Sequence, residues 1–299
     1  MEKKPIALAC RLDSERAIKL TRRIFEFLVQ KGEVVYLETR IAPKIFLHNG
    51  MDLGEMTAEN IKFIVIVGGD GSILRVANGL SQQNPPPILG VNVGSIGFLD
   101  ESNGRTIFRD LPKVINGEYK LEVCSKLTAY IVKNSGEIKL SNALNEVLIV
   151  SSKSSKVLQI SIRIDGIFLN RSYLDGIIVS TPTGSTAYNL SAGGAIINPN
   201  MESMQITPLN SFARAGLKPI IVPVDSEIEI QLLRPRLDAK IVIDGQQIIK
   251  RIAPNTKIKI RKAKAQNKFI RFRGSYYTRL RKKIIGTVRR VPINDSPEV

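Results

Sequence analysis

Gly68, Gly69, Asp70 and Gly71 are the residues of this 299-residue chain with the clearest chemical purpose. They interrupt an apolar run of Ile61, Phe63, Ile64, Val65, Ile66 and Val67, and they precede Ser72 and the helically spaced Ile73, Leu74, Val76, Ala77 and Leu80. The pattern predicts a strand buried on both faces, a glycine turn, and a helix capped by Ser72. Bare backbone N–H groups in such a turn approach a ligand closely, and the positive end of the helix dipole favours an anion, so phosphate is the natural guest. Asp70 would repel that guest unless it has another role, either holding Mg2+ or accepting a proton from an attacking hydroxyl. The plainer alternative is a glycine turn whose Asp caps the helix. The spacing of a Walker A loop is absent.

A second cluster, DGIIVSTPTGSTAYN from Asp175 to Asn189, follows the apolar strand Ile177 to Val179 with the hydroxyls of Ser180, Thr181, Thr183, Ser185 and Thr186. Pro182 fixes the turn, Gly184 permits it, and Ser185 or Thr186 is placed to cap a short helix carrying Ala187 and Tyr188. Hydroxyls, free N–H groups and an aromatic ring suit a nucleotide base and its sugar, although such a sequence also serves as a turn and nothing more. Asn145 and Glu146 form a third group, interrupting ALNEVLIV where period two calls for an apolar residue. Adjacent strand positions face opposite ways, so at most one of the two should point inward unless a bulge redirects it. The amide suits a purine edge and the carboxylate suits ribose hydroxyls, with an ordinary polar pair on an edge strand as the alternative.

These residues need a frame to position them. Pro5 to Cys10 reads as a strand, and Asp13 or Ser14 opens a helix whose apolar stripe, Ile18, Leu20, Ile24, Phe27 and Leu28, stops at Gly32. Glu33 to Leu37 is a second strand. Ile88 to Val93 is another, running into GVNVGSIGFLD, where three glycines let the chain bend under a ligand, and a helix through Ile107, Leu111, Val114 and Ile115 ends at Gly117. Strands alternating with helices predict an α/β domain over residues 1–118, a doubly wound, Rossmann-like parallel sheet with ligands at the carboxyl ends of its strands. From Tyr119 the period changes to two. Eight or more short strands parted by Asn-Ser-Gly and Asp-Gly turns predict an all-β, sandwich-like domain over 119–273. SYYTRLRKKIIG opens a C-terminal segment, 274–299, that reads as a helix packing back on the first domain, followed by a loose tail, VPINDSPEV.

Composition narrows the function classes. A 43% hydrophobic chain of this length can build two real cores. Cys10 and Cys124, each inside a strand-like segment, read as buried free thiols. His48 is the only histidine, which rules out a histidine-rich zinc site; its setting, KIFLHNGMD, is that of a surface loop. No run approaches the roughly 18 apolar residues of a membrane span, and the amino terminus lacks a signal peptide's apolar core, so a soluble cytoplasmic protein is expected. The formal net charge is +17, and 14 basic residues with no acidic one lie between Lys257 and Arg290, leaving +3 for everything else. That run suits nucleic acid, a polyanionic substrate, an acidic partner surface, or a solvated face beside a phosphate-using site.

Taken in order, GGDGS (68–72), GVNVGSIGFL (90–99), NE (145–146) and DGIIVSTPTGSTAY (175–188) closely resemble the motifs of NAD kinase, over a stretch from about Val65 to Gln246. SYYTRLRKKIIG is similar to that family's closing segment. Lipid kinases and phosphofructokinases carry relatives of the first motif, whereas PTGSTAY is far more specific. The resemblance implies an α/β domain followed by a β domain and assembly as a homodimer or homotetramer. It implies transfer of the γ-phosphoryl group of ATP, or of polyphosphate in some members, to the 2'-hydroxyl of the adenosine ribose of NAD, giving NADP.

On that resemblance Asp70 orients or deprotonates the hydroxyl. Gly68, Gly69, Gly71 and Ser72 hold the donor phosphates together with Mg2+ or another divalent cation, itself held mainly by those phosphates, and Arg75 neutralises phosphate charge. Gly71 and Phe98 also border NAD, Asn145 reads adenine and Glu146 grips ribose hydroxyls. Asp175, Thr186, Ala187, Tyr188, Asn189 and Ser191 line the NAD channel, and Gln246 of IDGQ completes it. One departure is that Ala213 and Lys218 stand in NSFARAGLKPI where bacterial members have His and Arg, so a point charge replaces a bidentate fork. No membrane or nucleic-acid partner is implied. Rival expectations are a lipid kinase with the same cradle, working at an anionic membrane, and a nucleic-acid binder using the basic run.

Overall fold

Ile6–Cys10 and Ile64–Gly68 are continuous apolar segments without alternation, and both lie buried at the centre of a parallel sheet, where neither face meets water. The computed structural model describes residues 3–45, 50–94, 97–153, 156–211, 216–233, 238–272, 274 and 276–284. The first half runs β1 (Ile6–Cys10), α1 (Glu15–Gln30), β2 (Val35–Glu38), β3 (Gly50–Met51), β4 (Ile64–Gly68), α2 (Asp70–Gly79), β5 (Ile88–Asn92), β6 (Ser102–Asn103) and α3 (Ile107–Ile115). Its parallel strands stand in the order β3-β2-β1-β4-β5, with β6 beside β5. Alternate residues of β1 divide between two cores: Ile6, Leu8 and Cys10 pack with α1 and α3, Ala7 and Ala9 with α2. Ser14 Oγ accepts the Ala17 N–H at 3.3 Å to start α1, and Gly32 turns at φ +71 beyond its end. Leu20, Ile24 and Leu28 are buried between them. At about 1.5–3 kcal/mol for each such side chain, that stripe holds the helix more firmly than its propensities do.

The second half runs β7 (Lys120–Lys133), β8 (Gly136–Ala143), β9 (Glu146–Ser151), β10 (Leu158–Ile164), β11 (Ile167–Leu174), β12 (Gly176–Ser180), α4 (Tyr188–Ser191), β13 (Ser203–Leu209), β14 (Ile220–Pro223), β15 (Ile228–Leu232), β16 (Ala239–Ile243), β17 (Gln247–Ile252), β18 (Lys257–Arg271) and α5 (Tyr276–Lys283). β18 pairs antiparallel with β7 and β15, and its Phe269 pairs in parallel with Ile88 of β5. One sheet, twelve-stranded among the described residues, therefore passes through both halves. A second sheet, β14-β13-β12-β9-β16-β17, packs on its antiparallel part through Val147, Ile149, Ile177 and Val179 against Leu127, Ile160 and Ile230. This is the sandwich.

The structure departs from the sequence pattern where the chain changes sheet. ALNEVLIV is not one strand: β8 ends at Ala143 and β9 begins at Glu146 in the other sheet, so Asn145 and Glu146 are both buried rather than alternating. IFLNRSYLDGIIVST likewise splits at Asp175, while TKIKIRKA and NKFIRFR merge into β18 across a bulge between Lys262 and Gln266. Helix α2 begins at Asp70 with Gly69 as its N-cap, because the N–H groups of Ser72 and Ile73 already bond Gly69 O; Ser72 therefore lies inside the first turn. Helix α5 touches both halves, with Lys283 Nζ 2.9 Å from Asp100 Oδ2 of the first and Arg279 paired with Glu122 of β7 in the second. Cys10 and Cys124 are free and buried, and burial pushes both thiols up to about 11. No helix among the described residues is long and apolar enough to cross a membrane. His48, Ala213, Arg289, Arg290 and the tail 291–299 lie outside the described residues.

Candidate active site

Asp70 is the first residue of α2, at the carboxyl end of β4, and both of its oxygens face backbone donors. Phe98 N–H donates to Oδ2 at 2.6 Å and Leu99 N–H to Oδ1 at 3.0 Å. Burial raises its pKa, those two N–H groups pull it back, and Asp100 raises it further. The outcome is a carboxylate held in one orientation, more basic than usual, with lone pairs to spare. Gly97 makes this possible: a Cβ there would lie 2.4 Å from Asp70 Oδ1 and 2.7 Å from Asp100 Oδ1, so both carboxylates take the space that a side chain would fill. At Gly69 and Gly71 a Cβ would meet nothing within 4 Å, which leaves the cradle open.

The passage from β8 to β9 is fixed by a residue whose sequence setting signals only a turn. Asp244 takes the N–H groups of Leu144 (2.8 Å), Asn145 (2.7 Å) and Glu146 (3.1 Å), and it also accepts from Asn78 Nδ2 of α2 at 2.8 Å. Gln246 Nε2, two residues on, donates to Gly71 O at 2.6 Å. The helix carrying Asp70 is thus bonded at both ends to the turn between β16 and β17, and through Asp244 that turn also holds the strand crossing that carries Asn145 and Glu146. Glu146 is 6% exposed, its Oε2 has no hydrogen-bond partner, and burial followed by the charge of Asp244 pushes its pKa up to about 8. An orphaned buried carboxyl oxygen calls for a donor from outside the chain.

The hydroxyl-rich turn does something different from what its composition suggests. Thr181 Oγ1 donates to Leu144 O (2.6 Å), Ser185 Oγ to Pro182 O (2.6 Å) and Thr186 Oγ1 to Thr183 O (3.2 Å). Ser185 and Thr186 do not cap α4; Ala187 occupies the N-cap, and the hydroxyls satisfy the turn's own carbonyls. Gly184 is required by contact, since a Cβ there would lie 2.1 Å from Asn145 O. The turn wedges against the Asn145 backbone, and Thr183 and Thr186 share a narrow cavity with Phe98, Leu99 and Tyr276. Asp70 is therefore one residue contact away from the turn.

The other expected residues scatter. Tyr188 is 47% exposed, Ser191 is exposed and Ala187 is half-buried. Asn189 is fully buried, accepting from Thr207 Oγ1 at 2.6 Å with its Nδ2 2.7 Å from the Gln205 side chain, so it bolts α4 to β13. Asp175 sits at the far end of β12 from the turn, accepting from Asn210. Arg75 turns to Glu38, with Nη1 and Nη2 at 2.6 and 2.8 Å from its two oxygens, rather than to the cradle. Lys218 is exposed. Much of the basic run is matched as well: Lys259 pairs with Glu227 (2.9 Å), Arg261 with Glu137 (2.8 Å) and Arg271 with Glu122 (2.8 Å).

Residues 6–119 match the ATP-NAD kinase N-terminal domain and residues 144–272 the ATP-NAD kinase C-terminal domain. A NAD kinase of Thermococcus gammatolerans is 35% identical over 272 residues, covering 91% of this chain and 95% of that one. The chain belongs to the NAD kinase family. A NAD kinase of Methanothermobacter thermautotrophicus is 33% identical over 282 residues, 94% of this chain and 96% of the relative. Among solved structures, an Archaeoglobus fulgidus NAD kinase in complex with ATP superposes with a TM-score of 0.71 at 28% identity, covering 94% and 97% of the two chains. Yeast NADH kinase complexed with NADH, at 22% identity, shares the fold with a TM-score of 0.81 over 100% and 91%. Within this NAD kinase fold, Asp244 and Asn78 join this arrangement from outside the motifs, whereas Gly97 and Asp100 belong to the glycine-rich GVNVGSIGFLD stretch, whose sequence does not show that they meet Asp70. The Asp-Gly of IDGQ signals only a turn, and nothing local marks Asn78 as its partner.

Proposed function

We propose that the surface joining the glycine cradle to the Asn145–Glu146 crossing is the active site of a NAD kinase, transferring the γ-phosphoryl group of ATP to the 2'-hydroxyl of the adenosine ribose of NAD. The observation that carries this reading is the turn between β16 and β17, which is tied to α2 twice, Asn78 to Asp244 and Gln246 to Gly71, while Asp244 also takes the N–H groups of Asn145 and Glu146, so that phosphate cradle and ribose grip share one support. Phosphoryl transfer asks a protein for positioning and charge neutralisation, and a secondary hydroxyl needs a base within hydrogen-bond reach. Asp70 is the base. Glu146 Oε2 accepts from a ribose hydroxyl, and the open backbone at Gly69 and Gly71 receives donor phosphate.

A divalent cation fits beside Asp70. Asp70 and Asp100 converge beside Gly97, and no group of three or more acidic, His or Cys residues that could hold a metal occurs among the described residues. That donor set suits Mg2+ bound by one or two carboxylates and otherwise by phosphate and water. When bound, it neutralises charge on the phosphates being transferred.

The site is completed in a homo-oligomer. Within one chain Asp175 stands a strand's length from the turn, roughly 17 Å at about 3.3 Å per residue, so a second copy supplies it. The exposed apolar Ile167, Phe168 and Tyr173 on edge strand β11 mark the face concerned. The units 1–118, 119–273 and 274–299 are read as the parts of a cytoplasmic enzyme. Incubating the purified protein with NAD, Mg2+ and either ATP or polyphosphate tests the proposal: NADP forms with ATP, and its absence with both donors rejects the reading.

A further inference from the structure

Gly97 borders a second space besides the one that holds Asp70. A cavity of about 920 Å3 opens between α1, the segments after β5 and β6, and α5, and Gly97 and Asp100 form part of its wall. Among its described lining residues are six cations, Arg16, Lys19, Arg23, Arg105, Lys282 and Lys283, against two carboxylates, Glu15 and Asp100. Lys19 pairs with Glu15, Lys283 pairs with Asp100, and Arg23 lies over the Phe108 ring. Arg16, Arg105 and Lys282 form no ion pair among the described residues. The contrast with β18 is informative, because there one carboxylate after another stands within 4 Å of the basic side chains.

Unmatched like charges converging on a concave wall raise its potential and concentrate anions there. Arginine forks favour phosphate oxygens in particular, and the volume accommodates a ligand of nucleotide size. We propose that this cleft is a binding site for a multiply charged phosphate compound, seated with one end at Gly97 beside Asp70 and the remainder along α1. The compound is either the trailing phosphates of the phosphoryl donor or a separate phosphorylated effector, since both present the same chemistry.

Inorganic tripolyphosphate is the probe. Calorimetry on the full chain gives saturable binding that weakens as salt is added, and the double variant Arg16→Glu/Arg105→Glu binds at least roughly tenfold more weakly. Both side chains are exposed, so an unchanged melting temperature certifies the fold. Absence of saturable binding to the wild type, or equal affinity in the double variant, overturns the site. Kinetics then separate the sources. If tripolyphosphate raises the KM for ATP in the wild type and not in the variant, the cleft holds the donor's own phosphates. If it alters turnover at saturating ATP, the occupant is an effector. The binding measurement needs no kinase activity, so its failure is distinct from failure of the NAD kinase reading.

Discussion

The glycine cradle and the Thr-Pro-Thr-Gly turn are the two loops that meet at the site, and they are built in opposite ways. In the cradle, backbone at Gly69 and Gly71 faces open space and the one functional side chain, Asp70, is held by neighbours from another loop. In the turn, Thr181, Ser185 and Thr186 bond the turn's own carbonyls or those of Leu144, and Gly184 is pressed onto the Asn145 backbone. One loop is left unfilled so that a ligand can enter, and the other is filled so that it cannot move. What the rigid loop offers to a ligand is the position of its neighbour Glu146, whose Oε2 is the unsatisfied atom at the meeting point.

The largest effect expected from this contrast is at Asp70. Asp70→Asn keeps the size of the side chain and gives up one of its two backbone hydrogen bonds, so NAD binding is retained by calorimetry while turnover falls at least about a hundredfold, the low end for loss of a general base. Near-wild-type turnover would remove Asp70 from its role. On the rigid side, Gly184→Ala forces a methyl into Asn145 O, where neither backbone can yield cheaply. A loss of about 1–3 kcal/mol in denaturant unfolding is expected, accompanied by weaker NAD binding.

The doubly wound half was legible in the sequence because its signals are local: an uninterrupted apolar run for β4, a stripe and cap for α1. The pairing of β18 with β5 was not, since Phe269 and Ile88 lie far apart in sequence and period two says nothing about which sheet a strand joins. The same blindness hid the sheet changes at Asn145 and Asp175. At the site, Asp70 and Glu146 stood out as charges in apolar surroundings. Asp244 did not, because Asp-Gly is also what any tight hairpin would use. The turn's hydroxyls misled in the other direction: side-chain type reports what a group can bond, and only the fold decides that its partner is a carbonyl three residues back.

Glu146 sharpens the comparison through pH. Its folded-state pKa, about 8, lies above the ordinary value, so the native state holds a proton that the unfolded chain releases. The stability this contributes is fully present below the ordinary carboxyl range and is lost as pH rises toward 8. Glu146→Gln removes that dependence, so the slope of melting temperature against pH between 5 and 8 should flatten. Below about pH 8 the carboxyl is neutral, so the same variant should bind NAD only about two- to tenfold more weakly, the worth of one neutral hydrogen bond. An unchanged slope would mean that Glu146 is ionised in the folded chain.

The smallest expected change uses the same methyl group as Gly184→Ala, placed on the open side. Gly71 lies in the first turn of α2 with unhindered space where its Cβ would stand, so Gly71→Ala restricts the unfolded chain without straining the folded one. Stability should rise by about 0.4–1 kcal/mol, opposite in sign to the change at Gly184. The KM for ATP should nonetheless increase, because the methyl occupies the space that donor phosphate needs. If Gly71→Ala left the KM for ATP unchanged, the openness of the cradle would be a matter of chain geometry alone, and the donor would approach Asp70 from another side.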